Sequence, residues 1–427
     1  MYATALILFV GLAEQKPVPR VQEAPVVRSF YRAVLKTPGG ELPFLLTIAA
    51  QNGDFVAAIS NGSDQTPVSR AVADGAELTL ELDPYDSTIE ALGDEGSDWA
   101  HGRYSTRMRG TWKKRIGKDQ WAQLEFFAEP YKGFRFKPLS KPAGAESSYP
   151  PIVGRWSVRF SKSDDPAVGI FKELPDGQIE GTFLTTTGDY GFLGGSYEHG
   201  KLRLSNFDGA HAFLFEAQMQ TDGTLKGDFW SRAASHETWT AKRDDNASLP
   251  DGFSLSNWTG GKPLADMKFP NLAGQLRSLD DPAFQGKARV LEIFGSWCPN
   301  CNDAAKYLAD LDRRYRAKGL SIVGLAFELT GDLARDTAQV QKFIERNDVE
   351  YPVLIAGVSE KTAAAAAFPL LDRIRAYPTT ILLHADGTVR AVHTGFSGPA
   401  TGPEYDKLKR KFEDLIAELL AASPAGK

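Results

Sequence analysis

The chain has 427 residues, 42% hydrophobic and 24% charged, with a formal net charge of -5. That balance fits a soluble globular protein too long for one core, so about two to four domains are expected. It excludes nucleic acid and anionic membranes as electrostatic partners, and no stretch in the body of the chain is long enough to span a bilayer.

The chain begins with an apolar run, Ala3 to Ala13, that ends in Gly-Leu-Ala before Glu14. Its length and small-residue exit are those of a signal peptide, although the basic start is missing. Residues 1–26 are therefore expected to be a signal-like segment and tail. The protein is expected in the periplasm or cell envelope, with no stable membrane insertion after signal removal. A lipoprotein anchor would need a Cys just after the apolar run, and none is there.

Residues 27–138 alternate apolar and polar positions, as in Glu77-Leu78-Thr79-Leu80-Glu81-Leu82, with Gly, Asp and Pro between the runs. Period two with turn residues predicts antiparallel strands. The basic run Lys113-Lys114-Arg115 reads as a solvated turn. Pro138 to Pro151 is a Pro/Ala/Ser linker.

The strand pattern returns over residues 152–243, with turns at Pro175-Asp176-Gly177, Glu198-His199-Gly200 and Thr221-Asp222-Gly223. The two sections superpose: Gln51-Asn52-Gly53 falls against Pro175-Asp176-Gly177, and His101-Gly102-Arg103-Tyr104 against Lys226-Gly227-Asp228-Phe229. This predicts a duplicated β-rich domain, each copy a small barrel or sandwich. Trp156, Tyr190, Phe192, Phe207, Trp230 and Trp239 read as barrel core rather than a cavity lining. His211 and His236 read as structural or surface residues rather than metal ligands.

Asp244 to Asn257 is a second polar linker, and strands and helices alternate over residues 258–422. A helix follows Cys301 to about Lys318, with Ala305, Leu308, Leu311 and Tyr315 at helical spacing. Next come a strand at Ser321–Phe327, a helix at Asp332–Asn347, a strand at Tyr351–Ala356 and a helix at Glu360–Leu371. A hairpin over Thr379–Leu383 and Val389–Thr394 and a helix at Pro403–Leu420 close the chain. That order gives a mixed sheet with helices on both faces.

Cys298 and Cys301 are the only cysteines, set three apart where the apolar run Val290–Phe294 meets a helix. The positive end of the helix favours the thiolate of the first. Structural zinc would need two further ligands with matching spacing, and none exist. Haem attachment would need His where Asn302 stands. A CxxC loop is too short to serve mainly as a structural staple. The pair is a dithiol/disulfide reaction centre.

Three motifs, Phe294-Gly295-Ser296-Trp297-Cys298-Pro299-Asn300-Cys301, Tyr377-Pro378-Thr379-Thr380 and Gly395-Phe396-Ser397-Gly398-Pro399, occur in this order. With them, residues 258–422 resemble the TlpA-like branch of thiol-disulfide oxidoreductases, which have a thioredoxin fold. The expected fold class is two antiparallel β-rich domains followed by an α/β thioredoxin fold. The resemblance implies that Cys298 is the exposed nucleophile and Cys301 the resolving thiol. It implies a cis-proline loop at Tyr377-Pro378-Thr379, which with Trp297, Pro299 and Asn300 would meet the substrate. Trp297 is expected to cover one side of the disulfide.

Glu292 stands where thioredoxin carries a buried acid, and alternation puts it on the face opposite Leu291 and Ile293. It is expected to take the proton of Cys301. Glu328 ends a buried-looking strand and could approach the disulfide. The run Asn302-Asp303-Ala304-Ala305 departs from the acidic residue and proline common in the family, and Pro299 replaces the Gly of thioredoxin, so the family's redox tuning does not transfer.

The expected activity is exchange with protein thiols or disulfides, as a reductase supplied by an external electron-donor thiol protein. No flavin or nicotinamide motif and no second Cys pair would regenerate it, and no metal or cofactor is implied. The alternatives are a thiol peroxidase, which Leu291 and Gly295 disfavour by standing where Pro and Thr or Ser are wanted, and an envelope binding protein working through its β domains. A copper chaperone would need a His poised by the CxxC, and His384 and His393 fall in a hairpin pattern instead.

Overall fold

The computed structural model describes residues 27–51, 54–140 and 149–422. The expected signal-like segment, the turn at Asn52-Gly53 and most of the first linker lie outside the described residues. Within Glu77–Leu82 the three leucines point inward and the polar residues outward, as a half-buried strand requires.

Strands of this kind build two nine-stranded antiparallel sheets, one between Val27 and Pro130 and one between Gly154 and Arg243. Counted from its first strand, each sheet runs 2-1-9-8-7-6-5-3-4. In both, strand 2 also pairs with strand 3, which curls the sheet into a barrel and removes most of its free edge. Trp156, Phe207 and Trp239 are buried core, while Tyr190, Phe192 and Trp230 are half-buried. Inside the second barrel the rings stack, with centroids of Phe183 and Phe215 4.6 Å apart and those of Phe215 and Phe229 4.2 Å apart.

The barrels share one apolar seam. Phe207 of the second barrel packs into the core of the first, 4.6 Å from Phe44 and 5.4 Å from Trp112 between ring centroids. Asn61 imitates a strand partner there: its Nδ2 donates to Phe207 O at 2.7 Å and its Oδ1 accepts from Phe207 N at 3.2 Å. The basic run Lys113-Lys114-Arg115 is not a solvated turn. It lies within the strand Met108–Gly117, and alternation puts Lys114 on the inward face with Trp112. Buried at the seam, Lys114 donates from Nζ to Ala210 O of the second barrel at 3.2 Å.

The third section is a five-stranded sheet in the order Val353–Val358, Leu320–Glu328, Ala288–Phe294, Thr379–His384, Val389–Thr394. The first three are parallel and the last two antiparallel. Helices α1 (Pro299–Tyr315), α2 (Leu333–Arg346), α3 (Lys361–Ala367) and α4 (Pro403–Ala422) complete it. Residues of α1, α2 and α4 pack on one face with Val290 and Phe294. Leu291 and Ile293 pack on the other with α3 and the segment before the sheet.

The helix expected to reach Leu371 stops at Ala367. Pro369 forces Phe368 out of the helical region, to φ -126° and ψ 71°. The second linker is packed rather than free. Ala247 lies against Val168 and Leu184, and Ser256 Oγ is 2.8 Å from Thr394 Oγ1. Because Phe207 is carried by the second barrel but fully buried in the core of the first, Phe207→Ala should cost about 3 kcal/mol or more. Urea unfolding followed by tryptophan fluorescence should show this as a lower midpoint.

Candidate active site

The strand Ala288–Phe294 is buried at every position and delivers the chain to Gly295-Ser296-Trp297. There the Trp297 indole folds back over Gly295, so closely that a Cβ on Gly295 would lie 2.2 Å from the indole nitrogen. Trp297 Nε1 donates to Phe327 O at 3.0 Å, and the ring meets Tyr377 edge-on at 5.4 Å. One wall of the site is thus fixed by a hydrogen bond and an aromatic pair.

Cys298 is the N-cap of α1, its Sγ accepting from Cys301 N at 3.3 Å. This satisfies one of the N–H groups that a helix start leaves without an intrahelical partner. Pro299 at the first helical position has no N–H to satisfy. The Cys298 thiol also donates to Tyr377 O at 3.3 Å, and the Tyr377–Pro378 peptide is cis. Both thiols are free. Cys301 is fully buried, as its expected resolving role suits, but Cys298 is not the exposed group the sequence suggests, retaining 6% of its surface. Trp297, Tyr377 and residues of the second barrel surround its loop.

Two carboxyl groups are buried near the reaction centre, Glu292 close enough to act on the Cys301 thiol and Glu328 against the loop before Cys298. Glu292 is fully buried on the α1 face of its strand. Its Oε2 accepts from Tyr351 OH at 2.8 Å, while its Oε1 has no partner. Burial pushes its pKa up to about 8, against the lowering effect of the Tyr351 bond. Glu328 accepts from Ser296 N at 2.8 Å and from Ser296 Oγ at 2.7 Å, so it clamps the loop two residues before Cys298. Burial raises it to about 7, opposed by the two Ser296 bonds. The Cys301 thiol is pushed well above its ordinary pKa by burial, then by its bond to Cys298 and the Cys298 charge, with Glu292 adding to the rise.

The expected substrate-facing residues divide. Trp297, Pro299, Asn300 and Tyr377 are half-buried around the thiol, whereas Pro378 and Thr379 are buried. The Thr379 side chain is turned inward, its hydroxyl donating to Ala376 O at 2.8 Å, so it cannot offer that hydroxyl to a substrate. Asn300 Nδ2 faces the second barrel, donating to Asp189 O at 3.2 Å and Phe396 O at 3.4 Å.

Other residues at the site were not legible from the motifs. Ser296 lies inside the first motif, and its role depends on Glu328 from another strand. Tyr351 stands two residues before the strand Val353–Val358, which pairs with the one carrying Glu328. Tyr85 and Lys114 of the first barrel are buried where the Cys298 charge acts on both. Burial brings the Lys114 pKa down to about 8, with Asp208 opposing. Among the described residues no group of three or more His, Cys, Asp and Glu side chains could hold a metal ion, and no helix is long and apolar enough to cross a membrane.

Residues 259–409 match the Redoxin family, and this C-terminal part of the chain is a Redoxin domain. The thiol-disulfide oxidoreductase ResA of Bacillus thuringiensis subsp. konkukian is 30% identical over 129 residues, or 30% of this chain and 66% of that relative. The chain therefore spans just under two thirds of that relative's length. The thiol:disulfide interchange protein DsbE of Vibrio cholerae is 25% identical over 173 residues, 40% of this chain and 84% of the relative. A thioredoxin-family thiol:disulfide interchange protein from Chlorobium tepidum TLS has 21% identity and a TM-score of 0.28, covering 38% of this chain and 99% of that one.

Between about pH 4.5 and pH 8 the folded protein keeps the Glu292 proton that an unfolded chain has lost. The native state then binds more protons than the unfolded state, so stability falls as pH rises through this window. Glu292→Gln should remove that part of the fall, making the variant relatively more stable at pH 8 than at pH 5. Urea titrations across this range would measure it. The difference between the two proteins isolates Glu292, because Glu328 titrates with the same sign in both.

Proposed function

We propose that this protein is a thiol-disulfide oxidoreductase that reduces disulfides of protein substrates outside the cytoplasm. The observation that carries the reading is the arrangement of Cys298 and Cys301 on the first turn of α1, with the Glu292 carboxyl behind them. Two relatives in sequence are named as a thiol-disulfide oxidoreductase and a thiol:disulfide interchange protein, which supports the same reaction here. The apolar segment Ala3–Ala13 supports an extracytoplasmic location.

In the first step the Cys298 thiolate attacks one sulfur of the substrate disulfide. A bond forms between Cys298 Sγ and that sulfur, and the other substrate sulfur leaves as a thiolate. Cys301 then attacks Cys298 Sγ, closing the Cys298–Cys301 disulfide and releasing the second substrate thiolate. Two electrons have passed from the protein to the substrate. An external thiol protein must return them, because the chain holds no other cysteine.

Cys301 cannot attack while it keeps its proton, and its burial makes the proton hard to lose. The ionised fraction of Glu292, which grows as pH approaches 8, is suited to accept it. A carboxyl raised to about 8 is a much better match to a thiol than an ordinary carboxyl, so transfer is less uphill. Tyr351 holds Oε2, which leaves the unpartnered Oε1 to take the proton.

Cys301→Ser should accumulate a mixed disulfide with oxidised insulin, visible on a non-reducing gel, and Cys298→Ser should form none. Glu292→Gln should slow the second step by roughly 100-fold at pH 7 and remove its inflection near pH 8, measured by stopped-flow tryptophan fluorescence. Resolution rates unchanged across pH would contradict the base assignment.

A further inference from the structure

Three loops surround Cys298: the Cys298–Cys301 turn, the segment from Arg375 to Pro378, and the Gly395–Gly398 loop. The last two are joined by the bond from Gly395 N to Pro378 O at 2.9 Å. In a thiol-disulfide exchange these loops are the surface that an incoming polypeptide must meet. One hairpin of the second barrel, Thr185–Asp189, touches all three. Asp189 accepts from Asn300 Nδ2 through both its backbone O, at 3.2 Å, and Oδ2, at 3.3 Å. The same Oδ2 accepts from Gly398 N at 2.6 Å. Arg375 bonds Thr186 Oγ1 at 3.3 Å and pairs with Asp165 beside it.

The fit is close. Gly188 has φ +147°, and a Cβ there would lie 2.9 Å from Asn300 Nδ2; a Cβ on Gly395 would lie 2.9 Å from the Thr187 carbonyl carbon. Only glycine lets the two backbones approach so nearly. The contact nonetheless includes an unfavourable element. A Cβ on Gly398 would lie 2.6 Å from Asp303 Oδ2 and 3.2 Å from Asp189 Oδ2, so two carboxyl groups face each other across this glycine. Burial raises the pKa of both, and the Asp189 carboxylate adds to the rise at Asp303. A junction with that repulsion is held less tightly than its hydrogen bonds alone suggest.

We infer that the Thr185–Asp189 hairpin is a built-in occupant of the partner groove, and that a protein disulfide reaches Cys298 only after the hairpin has moved out. The inference rests on the exchange reaction proposed above and adds its access step. The closed form keeps Cys298 at 6% exposure. The partner that displaces the hairpin is an extended polypeptide segment, able to bond Asn300 and the Gly398 N–H as the hairpin does.

The test uses the reduced full-length chain with Cys301→Ser, so that Cys298 is the single thiol. Its reaction with N-ethylmaleimide is followed on the high-pH plateau, where changes in thiol acidity do not contribute. Asp189→Ala removes the bonds to Asn300 and Gly398 made by its carboxylate and should raise the plateau rate about tenfold. Arg375→Ala frees the other end of the hairpin and should raise it in the same direction. Plateau rates equal to the parent in both variants, each with an unchanged circular dichroism spectrum, would overturn the inference.

A second measurement needs no change in the hairpin. In the mixed disulfide between insulin and the Cys301→Ser chain, backbone amides of residues 185–191 should exchange with deuterium faster than in the free chain. Unchanged protection with insulin bound would also overturn it. Maleimide reactivity does not depend on redox activity, so failure of the access step is distinguishable from failure of the exchange reaction.

Discussion

The arrangement depends on one carboxyl group held where water does not reach. Glu292 lies mid-strand, opposite Gly324 on the parallel side and Thr380 on the antiparallel side. Neither neighbour supplies a charge to balance it, and Tyr351 satisfies only one of its oxygens. An unpaired carboxylate in such a place is costly, so near neutral pH the group is held mostly as the acid. The same cost that makes Glu292 a liability for stability at high pH brings its affinity for a proton close to that of a thiol. Strand register therefore sets the chemistry: a slip of one residue would turn Glu292 to the other face and remove it from the thiols.

Around this centre the protein fixes the reacting groups from several directions. Glu328 holds Ser296, Phe327 holds the Trp297 indole, and Tyr377 receives the Cys298 thiol. The β barrels then close over the outside. The first docks on α2 through Asp83 and Asp86, which pair with Lys342 and Arg335. The second contributes the hairpin against Asn300. The first barrel's ion pairs with α2 are partly exposed, the class of interaction worth least in water, whereas the seam between the barrels buries Phe207 together with the hydrogen bonds of Asn61 and Lys114. The physical division suits two barrels that stay together and an opening, where one occurs, between them and the Redoxin domain.

Much of this was legible in the sequence, for reasons that can be traced to particular residues. Period-two alternation located the strands, and the same alternation set Glu292 apart from Leu291 and Ile293. The Cys pair at a strand-to-helix junction located the reaction centre. Pro369 could have marked the end of α3, because the residue before a proline leaves the helical region. What stayed hidden depends on contacts between distant segments. Lys114 reads as solvated in a run of three basic residues, and only the seam with Ala210 makes it a buried donor. The bond that ties the Cys298–Cys301 turn to the second barrel runs to Asp189, more than a hundred residues earlier and in another domain. Tyr351 carries no motif, and its role follows from the strand pairing that brings its hydroxyl to Glu292.

The most direct test is to titrate the Glu292 carboxyl itself. Carbon-13 labelling of glutamate side chains, with Glu292→Gln to assign the resonance, would follow it from pH 4 to pH 10 in the reduced protein. A midpoint near pH 8 is the predicted result and would show a carboxyl poised to accept the Cys301 proton. A midpoint in the ordinary range, about 4.3, would mean that Glu292 is ionised at neutral pH, too weak a base to match the thiol, and that the thiol loses its proton by another route.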